Sequence, residues 1–198
     1  EKFDNPLAKK MSNEGARFIL NLAQDSKHGK YWLFRRDKSF NLPNFSHGTA
    51  GVIYTLATVG KQTQDVSLVD GAKLGFQYLA SIAEISNNKI RMPYGWGSDS
   101  WKGLYEFGWA HGLTGVALSL ERLQQNDIDK AGTMKLLALI RNTLVNSNLQ
   151  GKPAEPFAEP STPLDQRFGR AGVLSLLSHW SMLYPKNDAL ISVRNKLW

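Results

Sequence analysis

Two histidines in this chain stand in nearly the same phrase. His47 belongs to "SHGTAG" and His111 to "WAHGLTG", and each His-Gly-x-x-Gly opens a hydrophobic run. An imidazole changes charge near neutral pH, so a histidine at such a position suits proton transfer. His47 is read as the acid–base candidate and His111 as a ligand contact. Two imidazoles without a third donor make a poor zinc site, so no metal is expected from this pair. Arg167 and Arg170 flank a third glycine and bring fixed positive charge suited to a carboxylate or phosphate. Trp101 and Trp109 lie in the aromatic loop "YGWGSDSWKGLYEFGW" and are read as ligand contacts too. The same loop carries Asp99 and Glu106, and paired carboxylates among aromatic residues are what carbohydrate-processing enzymes use. A metal-free glycosidase or epimerase is therefore an alternative class.

The elements that must hold these groups are helical. Apolar residues recur at helical spacing through most of the chain, and alternating strand patterns hardly appear. The periodicity predicts helices over about 7–23, 48–59, 67–85, 114–124, 130–145, 171–183 and 188–197, with loops between. The segment "GKPAEPFAEPSTP" carries four prolines and cannot be a regular element. His28 falls in a turn, and His179, mid-helix beside Trp180, reads as a packing residue.

A third copy of the glycine phrase sharpens the pattern. Gly169-Arg170-Ala171-Gly172 aligns with Gly48-Thr49-Ala50-Gly51 and Gly112-Leu113-Thr114-Gly115, at separations of 64 and 57 residues. Each copy follows a long loop and starts a helix, and each is followed by a second helix. The unit is a helical hairpin of about sixty residues, and a chain of such units is an all-α repeat fold. Glycine within a helix costs roughly 0.5–1 kcal/mol relative to alanine, so its recurrence marks a steric need. Tight backbone packing and access for a ligand both meet that need.

At these residues the sequence resembles the lanthionine synthetase C-like (LanC-like) family, on "FNLPNFSHGTAGVIYTLATVG", "GWAHGLTGVALSLERL" and "RFGRAGVLSLL", over roughly residues 30–185. The resemblance implies an α/α toroid of helical hairpins. It also implies that this chain forms an arc of one, either as a single domain over 1–198 or as a fragment of a larger ring. An arc bares apolar helix faces at its ends, which calls for the missing segment or for self-association. Members that act as cyclases hold zinc with a cysteine in Trp-Cys-x-Gly and with a Cys-His pair ahead of the later glycine. Here those positions read Ala110 and Arg167-Phe168. The resemblance thus implies a protein without zinc-dependent cyclase activity and without a cofactor, serving as a peptide-binding or accessory module in peptide modification. His47 matches a histidine that handles protons in the active members.

Composition bounds the rest. With 198 residues and 42% of them apolar, the chain can bury one substantial core. It has no cysteine, which removes disulfides, thiolate ligands and thiol nucleophiles. The net charge of +7 is spread out, apart from a basic, aromatic stretch with Lys27, Lys30, Arg35, Arg36 and Lys38. No nucleic-acid motif accompanies that stretch, so a solvated loop is expected and no nucleic acid. No run approaches the roughly 20 apolar residues of a membrane span. The chain reads as soluble, and its compartment, with the cytoplasm favoured, stays open.

Overall fold

The computed structural model describes residues 5–147 and 169–198. Seven helices follow in order among them: α1 (Pro6–Asn21), α2 (Thr49–Thr63), α3 (Val66–Ile82), α4 (Leu113–Gln125), α5 (Lys130–Val145), α6 (Arg170–Leu183) and α7 (Asp188–Leu197). The proline-rich connector, Arg167 and Phe168 lie outside the described residues. Helices α2, α4 and α6 form one file, with α2 on α4 and α4 on α6. Each is backed by the helix that follows it, α3, α5 and α7. The fold is all-α and built from helical hairpins. Fully buried Ile53 and Leu56 on α2, Leu68 and Leu79 on α3, Leu120 and Leu123 on α4 and Leu177 on α6 knit the layers together. Among the described residues no helix is long and apolar enough to cross a membrane. At the two ends of the file, Leu7, Met11 and Phe18 of α1, and Met182 and Leu183 of α6 with Trp198 after α7, are exposed.

Two boundaries differ from the expected ones, each for a local reason. Helix α2 runs through Gly60 to Thr63, because a side chain at 60 would press on Leu68 and Val69 of α3 and glycine lets the helices approach. It stops at Gln64, whose φ of 56° is left-handed and whose N–H returns to the Gly60 carbonyl. Helix α3 ends at Ile82, three residues early, and the chain turns into a β-hairpin, β3 (Glu84–Ser86) with β4 (Lys89–Arg91). Asn87 and Asn88, with φ of 49° and 58°, form its two-residue turn, the positive-φ pair that such hairpins favour. The segment after α1, expected as loop, forms a matching hairpin, β1 (Gln24–Ser26) with β2 (Gly29–Tyr31). Each hairpin packs on a helix of the next repeat. Strand β2 lies on α3, where a Cβ at Gly29 would come within 2.1 Å of the Leu74 carbonyl. Strand β4 lies on α5, where the Ile90 N–H donates to the Thr143 hydroxyl at 2.8 Å.

Candidate functional site

The glycine phrases explain themselves once the loops are traced backward. The residues ahead of α2 and of α4 fold over the first turn of the helix and cap it with main-chain carbonyls. Thr49 N–H donates to the Leu42 carbonyl and Ala50 N–H to Pro43; Leu113 donates to Glu106 and Thr114 to Phe107. These bonds occupy N–H groups that a helix start otherwise leaves unpaired. A Cβ at Gly48 would sit 1.7 Å from the Leu42 oxygen, and one at Gly112 2.4 Å from the Glu106 oxygen. At Gly51 and Gly115 the distance is 2.0 Å to the Phe45 and Trp109 oxygens. Gly48, Gly112 and Gly169 share one extended conformation with negative φ, open to any residue. At Gly48, Gly51, Gly112 and Gly115, therefore, space for the capping segment rather than backbone freedom requires glycine. Of the two needs the sequence left open, packing is the one these contacts describe.

The loops bring His47 and His111 together, with ring centroids 5.3 Å apart. His47 is exposed and His111 buried. Asn44, itself buried, fixes the second ring. Its Oδ1 accepts the His47 main-chain N–H at 3.0 Å, so its Nδ2 must be the atom facing His111 Nδ1, also at 3.0 Å. An amide nitrogen only donates, so Nδ1 accepts, and the neutral ring carries its proton on Nε2. Tyr94 stacks on His111 at 5.1 Å and 12°, and Phe34 meets His47 edge-on at 5.8 Å. Trp101 lies against Tyr94 at 5.7 Å and against Phe40 at 4.4 Å, and Phe40 returns to Phe34 at 5.7 Å. Six rings thus close a circuit: Phe34, His47, His111, Tyr94, Trp101 and Phe40. Asp99 is exposed on the short turn that ends at Trp101, and Glu106 is half-buried in the segment that caps α4.

A second feature lies along the helices, where α2, α4 and α6 enclose a cleft of about 360 Å³. Trp109 lines it, and its ring lies 5.0 Å from Phe45 rather than in the circuit. Thr114, Leu118, Glu121, Arg122 and Gln125 face the cleft from α4, and Gly172, Ser175, Leu176 and His179 from α6. Glu121 is buried mid-helix. Its Oε1 accepts the Trp180 indole N–H, and its Oε2 lies 3.7 Å from His179 Nε2. His179 is therefore a half-exposed wall of the cleft rather than the packing residue expected. Arg122 lies over the Tyr54 ring at 4.9 Å and donates to its hydroxyl at 2.9 Å. Among the described residues, the Arg122 Nε and the Thr114 hydroxyl are buried without a hydrogen-bond partner.

The expected site residues thus divide. His47, His111 and Trp101 share the ring circuit, Trp109 lines the cleft, and Arg170 opens α6 with its Nε buried and unpaired. Arg167 lies outside the described residues. Ala110 is fully buried. Among the described residues no three histidine, aspartate or glutamate side chains come together as a metal site. The family model described as lanthionine synthetase C-like protein matches residues 2–154. A search of curated proteins gives no match. With more than half of its length matched, and with hairpin repeats whose glycine starts recur in the structure, the chain belongs to the lanthionine synthetase C-like family.

Proposed function

We propose that this LanC-like protein binds a peptide at the ring circuit and does not cyclise it with zinc. The observation that carries the reading is the circuit itself, which places both glycine-loop histidines among four aromatic rings. Aromatic faces take up apolar and cationic side chains, and imidazoles add hydrogen-bonding edges. Zinc does not fit the residues at the corresponding positions. Ala110 offers a methyl group, Phe168 a hydrocarbon ring and Arg167 a permanent positive charge, while His111 Nδ1 is engaged by Asn44. In this reading His47, the exposed imidazole, is the acid–base group nearest a bound peptide.

Metal analysis of protein purified from zinc-supplemented medium, with a parallel binding titration, tests the proposal. A cysteine-containing peptide is expected to bind and an oligosaccharide not to. His47→Ala and Tyr94→Ala are each expected to weaken peptide binding by about tenfold, the effect of losing one well-placed contact. Stoichiometric, tightly held zinc would overturn the proposal, as would peptide binding indifferent to both substitutions.

A further inference from the structure

We propose that the cleft between α4 and α6 is a second site, one that binds a small zwitterion: a free α-amino acid or a dipeptide with an apolar side chain. Glu121 is a carboxylate held out of water, and burying a charge is costly unless it is compensated. Among the described residues its neighbours within reach are the Trp180 indole N–H, which carries no charge, and His179, a cation only when protonated. Arg122 follows it on the same helix and faces the same cleft, yet no carboxylate among the described residues forms an ion pair with it. Its recorded partners are the ring and hydroxyl of Tyr54.

One acid and one base therefore line a single cleft without neutralising each other. A ligand that carries an ammonium and a carboxylate a few bonds apart would satisfy both. Thr114, 3% exposed, adds to the same wall a hydroxyl that has no hydrogen-bond partner among the described residues. Trp109, Leu118 and Leu176 supply the apolar surface against which a side chain would lie. At about 360 Å³ the cleft falls at the small end of ligand pockets, which suits one or two residues and not a long peptide. None of these groups belongs to the ring circuit, so this inference and the peptide proposal stand or fall separately.

Calorimetric titration of the whole chain with L-phenylalanine and with L-leucyl-L-phenylalanine tests it and separates the two sources of the charge pair. Phenethylamine, 3-phenylpropanoate and N-acetyl-L-phenylalanine amide carry one or neither charge. At least one zwitterion is expected to bind, with the singly charged compounds weaker by at least about tenfold and the capped amide weaker still. Glu121→Gln and Arg122→Gln should each lower zwitterion affinity by at least about tenfold. Because Glu121 is buried, Ser175→Phe serves as an independent variant. It begins from an exposed residue at the cleft wall and is expected to abolish binding while leaving the helical circular dichroism unchanged. Failure of both zwitterions to bind at millimolar concentration would overturn the inference. So would equal binding of the capped amide, or full affinity in the Ser175→Phe protein.

Discussion

The first two glycine loops share a backbone and differ in how they hold their histidines. His47 is exposed, whereas His111, 64 residues on, is buried beneath Tyr94. One residue joins the two. Asn44 of the first loop bridges the two, taking the main-chain N–H of His47 and donating to the ring of His111, while its counterpart in the second loop is Gly108. Repetition has kept the main-chain capping and released the side chains. The carbonyls of residues 42 and 43 do for α2 what those of 106 and 107 do for α4, yet of the imidazoles carried by the same turns one is exposed and the other is buried and held by a side-chain hydrogen bond.

The largest expected effect tests the shared half of that comparison. Gly48→Ala and Gly112→Ala both drive a methyl group into a capping carbonyl, and each should cost more than about 3 kcal/mol by denaturant unfolding. A cost at one position only would break the equivalence of the loops. Asn44→Ala tests the half that differs. It removes the Asn44 amide from the buried His111 Nδ1 and should cost about 2 kcal/mol, with a change in the His111 ring nitrogen shifts that the exposed His47 ring does not show.

The outer helices extend the contrast to smaller magnitudes. Asp65 caps α3 and Asp129 caps α5, again 64 residues apart, but Asp65 also binds the Ser67 hydroxyl at 2.6 Å, Asn13 at 3.0 Å and Arg17 at 2.7 Å. The Ser67 bonds first, then those from Asn13 and Arg17, hold its carboxyl well below the usual aspartate range. Asp65→Ala should cost about 2 kcal/mol and Asp129→Ala about 1 kcal/mol. The folded value lies below the unfolded one, so the Asp65 contribution is whole above the ordinary aspartate pKa of about 3.9 and drains away as pH falls beneath it. Stability of the parent should therefore decline in that acid range more steeply than that of the Asp65→Ala protein, measured as unfolding midpoints against pH.

How much of this the residues announced varies with the range of the interaction. Helical spacing and the three glycine phrases set out the hairpins, because those signals are local and repeated. The β-hairpins escaped notice, since strands of three residues leave no alternation to read; Asn87-Asn88 was the signal that could have found one. The ring circuit was legible in part through His47, His111 and Trp101, but Phe34, Phe40 and Tyr94 join it through loop paths that spacing does not encode. The cleft was legible only at Trp109. Glu121 between Leu120 and Leu123, and His179 beside Trp180, each look like an ordinary polar break in an apolar helix. Their meaning arises where α4 meets α6, helices whose sequences are separated by a whole connector.

The two small hairpins have a mechanical consequence. Because β1–β2 grips α3 and β3–β4 grips α5, each unit overlaps its neighbour as one roof tile overlaps the next. Peeling the first unit away uncovers the second, so loosening at one eave spreads along the row instead of stopping at a seam.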